Sequence, residues 1–122
     1  MRRVRSLVLT SLALLTGFSA LPALTAAPAN AAYPCPPGHF CIYSDVNGGG
    51  TRCQWADSAK GNTADDCAFI QRGQNVRSVW NGTSHGVQYF TQTAYRHRAG
   101  ATAARAGGNL QGNFQIRSFK PS

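Results

Sequence analysis

Cysteine, histidine and aspartate carry most of the chemistry open to this chain, and their spacing narrows it. The cysteines are Cys35, Cys41, Cys53 and Cys67, and the first two bracket the stretch CPPGHFC. Five residues between them is not the two-residue spacing of a dithiol redox centre, and no second pair stands at zinc-ligand spacing. His39, His85 and His97 fall in three separate segments, so no metal site is expected. An even number of cysteines in a short exported chain implies two disulfides. Four cysteines allow three connectivities. Pairing near neighbours, Cys35 with Cys41 and Cys53 with Cys67, closes the shortest loops and is preferred, each loop contributing on the order of 2–3 kcal/mol. Asp65 and Asp66 are adjacent, so their side chains diverge in extended chain, unlike a paired acid and base. His39, Ser44 and Asp45 lie close together but form no nucleophile elbow. Asn81-Gly82-Thr83 is formally a glycosylation sequon. It reads first as a turn, because Asn-Gly favours hairpin turns. The expectation is a protein that is not an enzyme and needs no cofactor.

Residues 1–31 read as a secretory signal peptide. Arg2, Arg3 and Arg5 precede the apolar stretch Leu7–Leu15, and Ala29-Asn30-Ala31 is a small-residue cleavage site. A cut after Ala31, with Ala32 as the close alternative, predicts a secreted chain over residues 32–122 that forms one small domain. No other apolar run approaches the ~18 residues of a membrane span. Export permits disulfides, and so small a core needs them. Once the leader's arginines are set aside, nine basic residues stand against four acidic ones, a formal +5. No acid follows residue 66, whereas Arg72, Arg77, Arg96, Arg98, Arg105, Arg117 and Lys120 do. A basic half suits an acidic partner such as an anionic cell-wall polymer, a membrane surface or an acidic protein. Nucleic acid is not expected, since there is no Lys/Arg run, RNP motif or zinc-finger spacing.

The elements that must position these residues are short strands. No segment sustains helical periodicity, Gly, Asn, Thr and Ser abound, and β-branched and aromatic residues come in brief runs. Strands are predicted over 39–44, 51–55, 75–81, 86–91 and 114–119, with a short one over 68–71. Alternation puts Val76, Ser78 and Trp80 on one face and Arg77 and Val79 on the other, and lets Phe114, Ile116 and Ser118 share a face. Residues 57–66 read as a polar connection. Residues 99–109, AGATAARAGGN, read as a mobile loop. Trp55, Trp80, Tyr89, Phe90 and Tyr95 read mainly as core, with Trp80 the best candidate for an exposed platform. GQNVRSV at 73–79 recurs weakly as NFQIRSF at 113–119, which suggests a duplicated four-stranded unit whose copies pack as two sheets.

The ordered set C-P-P-G-H-F-C-I-Y-S, G-G-G-T-R, N-V-R-S-V-W-N-G-T and Q-I-R-S-F resembles the small secreted bacterial inhibitors of thermolysin-type metalloproteinases, peptidase inhibitor family thirty-six. The resemblance covers nearly the whole chain after the leader. It implies an all-β, βγ-crystallin-like β-sandwich of two Greek-key motifs. It further implies a monomeric, non-enzymatic inhibitor whose partner is an extracellular protease. Tyr43 and Gly50 match the first-strand aromatic and turn glycine of such motifs. The usual second aromatic is replaced by Gly48, leaving that hairpin less well packed. In the second half Phe90 and Tyr95 match the aromatic pair, but His97 replaces the glycine. Ser78 and Ser118 match serines that hydrogen-bond the folded hairpins. Calcium sites of related folds need oxygen ligands where this chain has Gly73-Gln74, Asn113-Phe114, Arg77 and Arg117, so no tight calcium site is expected. The family's reactive loop maps to Arg96, His97, Arg98 and Ala99, without the disulfide that usually pins it. Its basic residues suit poorly a cleft that selects large apolar ones. A second reading is a cationic, killer-toxin-like protein that binds walls or membranes.

Overall fold

The structure, a computed structural model, describes residues 33–122; the signal peptide expected over 1–31 lies outside them. Seven strands and one helical turn follow in order: β1 (Phe40–Tyr43), β2 (Arg52–Trp55), α1 (Ala68–Gln71), β3 (Val76–Asn81), β4 (Val87–Gln92), β5 (Arg96–Thr102), β6 (Ala106–Phe114) and β7 (Ser118–Pro121). They form two antiparallel sheets, ordered β2-β1-β3-β6 and β5-β4-β7. The third strand of the second half, β6, has crossed to the first sheet. The matching segment of the first half crosses the other way, reduced to a bridge between Lys60 and Phe119 beside β7. This reciprocal exchange ties two Greek-key halves into one all-β sandwich.

β1 is buried on both faces because it is central in its sheet and covered above by a folded hairpin. Phe40 and Ile42 join the core between the sheets with Val76, Val79, Val87, Tyr89, Ile116 and Phe119. Phe40 and Trp55 both pack on the Phe119 ring, at 4.8 and 5.3 Å between centroids. On the other face Tyr43 donates its hydroxyl to the Pro34 carbonyl at 3.0 Å. Burial pushes the Tyr43 phenol up from its usual value, and the nearby Arg52 charge opposes this in part. Both disulfides join near neighbours, Cys35 to Cys41 and Cys53 to Cys67. The first closes the CPPGHF turn onto β1, and the second ties β2 to the start of α1.

The structure corrects four local expectations. Residues 68–71 are one turn of helix, not a strand. Phe69 and Ile70 are both buried within the turn, and Gly73 at φ 81° ends it by donating to the Ile70 carbonyl. Residues 99–109 are not a loop but the hairpin of β5 and β6. Their small side chains are the reason: a Cβ on Gly107 would run into the Val79 carbonyl and the Trp80 ring, so glycine lets β6 approach β3. Residues 114–119 are not one strand; the chain leaves the first sheet after Phe114 and enters the second at Ser118. Finally, alternation fails in β3. A register shift between Val76 and Ser78 brings Val76 and Val79 both into the core. Ile116 and Phe119 do the same across the second Arg-Ser pair.

The duplication is visible in hydrogen bonds. Ser78 Oγ donates to the Asp45 carbonyl at 2.6 Å and accepts from Gly48 N at 3.0 Å. Ser118 Oγ donates to the Gln92 carbonyl at 2.6 Å and accepts from Tyr95 N at 3.0 Å. Each serine therefore pins one folded hairpin, as the resemblance implies. The two hairpins also match in conformation: Asn47, Gly48 and Gly50 at φ 57°, 73° and 71° correspond to Ala94, Tyr95 and His97 at 57°, 61° and 61°.

Candidate functional site

That correspondence marks the second hairpin as unusual. Glycine adopts positive φ freely, whereas other residues pay a steric cost, and the second copy has none in its corner. Ala94, Tyr95 and His97 hold it within four residues, around Arg96. Strained backbone of this kind persists only where the surroundings over-determine it. Here they do. The Tyr95 ring meets Phe90 edge-on at 5.9 Å, and the Lys120 ammonium lies 5.1 Å from the Tyr95 ring and 5.7 Å from that of Phe90. Ser118 holds the Tyr95 amide, and Ala94 N donates to the Gly61 carbonyl at 3.0 Å. These contacts hold the corner where the resemblance would place a disulfide.

The four residues expected to form the reactive loop open β5 rather than a loop. Arg96, His97 and Arg98 are exposed, and Ala99 is half-buried against the core. β5 is an edge strand, paired only with β4, so its outer backbone groups face outward. Arg96 lies opposite Gln92 and Arg98 opposite Phe90, which puts both arginines on the outer face of the sheet. Arg98 Nε reaches Gln88 Oε1 at 3.3 Å and Arg96 Nε the Thr93 carbonyl at 3.4 Å. Lys120, opposite Gln88, adds a third cation to that face. The ion pair among the described residues, Lys60 with Asp66 at 3.0 Å, lies elsewhere. Lys120 and the edge position of β5 were not legible beforehand, since neither follows from local sequence.

The other candidates are placed in structural roles. Asn81 of the sequon is fully buried. Its amide donates to the carbonyls of His85, Thr102 and Ala103, and its oxygen accepts from Thr83, so it serves as a bracket at the end of β3. Trp55 and Tyr89 join the core, and Phe90 is buried. Trp80 is half-buried beside Tyr33, 5.7 Å away. Among the described residues no three His, Cys, Asp or Glu side chains converge. Arg117, at one position where calcium would need an oxygen, directs a guanidinium nitrogen to Asn62 Oδ1 at 3.4 Å, an oxygen that also accepts from Ala64 N. An open groove of ≈ 310 Å³ between the β5–β6 hairpin and the core is lined chiefly by Ala, Gly, Val79, Leu110 and Tyr89. Thr102 and Asn109 complete the lining, which holds no Asp, Glu, His, Lys or Arg and so offers no acid–base pair.

No curated protein matches the chain. The family model for peptidase inhibitor family I36 matches residues 28–102, more than half of the sequence, from the segment before Cys35 to the end of β5. The match takes in both disulfides, both folded hairpins and the exposed start of β5. The chain therefore belongs to peptidase inhibitor family I36.

Proposed function

We propose that this peptidase inhibitor acts outside the cell on metalloproteinases, through the corner at residues 94–98 and the free edge of β5. The observation that carries the reading is the exposed edge strand whose first turn is held in strained conformation by Tyr95, Ser118 and Lys120. Peptidase clefts bind extended chain, and an edge strand already has that shape. A segment ordered before binding loses little entropy in the complex, so tight contact survives without the family's second-half disulfide. Arg96, His97, Arg98 and Ala99 are the proposed contact residues. The metalloproteinase target is supported by the motif resemblance, and export by the leader and the paired cysteines. The test is an inhibition panel of metallo- and serine peptidases with the purified protein. Inhibition of at least one metalloproteinase, lost when residues 96–99 are replaced by Gly-Ser, supports the proposal; no inhibition at micromolar concentration refutes it.

Arg96, Arg98 and Lys120 on one sheet face also favour a second reading, binding to an anionic cell-wall polymer. Salt-sensitive retention on peptidoglycan is the expected result, and its absence counts against that reading.

A further inference from the structure

The side chains at the start of β5 say what kind of cleft they fit. No large apolar group is free there. Tyr95 is packed on Phe90 under Lys120, Ala94 and Ala99 are small, and Gly100 lies against the Tyr89 ring. What projects is Arg96, His97 and Arg98. Each arginine uses Nε to brace its stem, on Thr93 or Gln88, while its terminal nitrogens make no hydrogen bond among the described residues. No acidic side chain pairs with them among the described residues. The whole sequence has four acids, all before residue 67, and Asp66 is taken by Lys60.

We infer that the peptidase this surface fits carries carboxylates in its cleft, placed to receive Arg96 and Arg98; the inference rests on the reading of the β5 edge as the contact surface. A guanidinium pressed into an apolar pocket loses its water and gains no partner, so such a cleft rejects it. A carboxylate-lined pocket offers paired, charge-assisted hydrogen bonds that match the planar fork of arginine. Lys120 on the same face adds to the field that draws an acidic cleft in. The target is then a metallo-endopeptidase that cleaves beside basic residues, not one that selects large apolar residues.

The test compares inhibition constants of the purified protein against thermolysin, which selects large apolar residues, and against a metallo-endopeptidase that cleaves beside lysine or arginine. The expected result is at least about tenfold tighter inhibition of the second enzyme. That preference should fall to within roughly threefold in Arg96→Leu/Arg98→Leu. It should persist in Arg72→Leu/Arg77→Leu, which removes the same charge from exposed positions outside β5. Unchanged melting temperatures show that the variants are folded. Equal inhibition of the two enzymes, or a preference that survives the Arg96→Leu/Arg98→Leu change, overturns the inference and leaves the inhibitor reading standing. Inhibition of neither enzyme removes that reading and the inference together.

Discussion

The ring of Tyr33 covers Gly48, so closely that a Cβ on that glycine would sit 2.7 Å from the Tyr33 Cγ. Tyr33 meets Tyr43 edge-on at 5.7 Å, much as Tyr95 meets Phe90 at 5.9 Å in the second half. The first hairpin thus has its second aromatic after all, supplied from the segment before Cys35 instead of from the corner itself. Backbone anchoring keeps it there: the Pro34 carbonyl accepts from both Tyr43 Oη and Arg52 Nη1.

This relationship predicts a coupling. Tyr33→Ala should destabilise the fold by about 1–2 kcal/mol, since the ring is half-buried and not fully enclosed. Gly48→Phe should also destabilise it, through collision with Tyr33. The double variant should be more stable than the two separate losses predict, because Tyr95 shows that an aromatic residue fits this corner at positive φ. Denaturant midpoints of the four proteins measure the coupling, and strict additivity would refute it.

The two serines allow stability to be separated from inhibition. Ser78→Ala and Ser118→Ala each leave an amide and a carbonyl without their partner, a loss of about 1–3 kcal/mol. The thermal effects should therefore be similar. Only Ser118 holds the Tyr95 amide, so only Ser118→Ala should weaken peptidase inhibition at a temperature where both variants remain folded. Equal inhibition by the two would show that the second corner plays no part in binding.

Much of this plan could be read from the chain, for identifiable reasons. Cysteine spacing and the short aromatic runs gave the disulfides and four of the strand positions. The repeated Arg-Ser pair disclosed the duplication, because its serine has the same pinning role in each half. What escaped prediction depends on distant contacts. Tyr33 fills a gap fifteen residues ahead of it, a contact with no local signature. The irregularity between Val76 and Ser78 that goes with both Val76 and Val79 lying inward is not signalled by the alternation of residue types in β3. For Arg96–Ala99, the positions could be named, but their presentation on a sheet edge depends on how β4 pairs on either side.

Stability should depend on pH through Asp66. This carboxyl is held below its usual range, first by the hydrogen bond from Lys60 and then by the one from Trp55 Nε1 at 2.8 Å. Because the folded value is depressed, the associated stability is present above the ordinary carboxylate pKa and is lost as pH falls through the folded one. Lys60 is shifted up, chiefly by the same hydrogen bond, so its share is present below the ordinary lysine pKa and is lost as pH rises through the raised one. Melting curves should therefore show an acid limb below about pH 4 that is smaller in Asp66→Asn. In Trp80→Phe, which leaves Trp55 as the tryptophan of the described domain, the emission should follow the same titration. An acid limb of equal size in Asp66→Asn would exclude this carboxyl as its source.

Gly107 gives the sharpest test of how the sheets exchange strands. A Cβ there would press on the Val79 carbonyl and the Trp80 Cα, which are backbone atoms of β3 and cannot turn aside as a side chain would. Gly107→Ala must therefore push β6 off β3 along the register that pairs Trp80 with Gly107. Overpacking of this kind costs about 1–3 kcal/mol. Gly112 lies in the same strand, but a Cβ on it would come no nearer than 3.4 Å to the Phe114 ring, an ordinary contact. Gly112→Ala therefore makes the same chemical change without the collision. Hydrogen exchange should show faster opening of the β3 and β6 amides in Gly107→Ala, with β4 and β7 less affected. If the two alanine variants match in stability and exchange, close approach at Gly107 is not what allows the second half to lend its third strand to the first sheet.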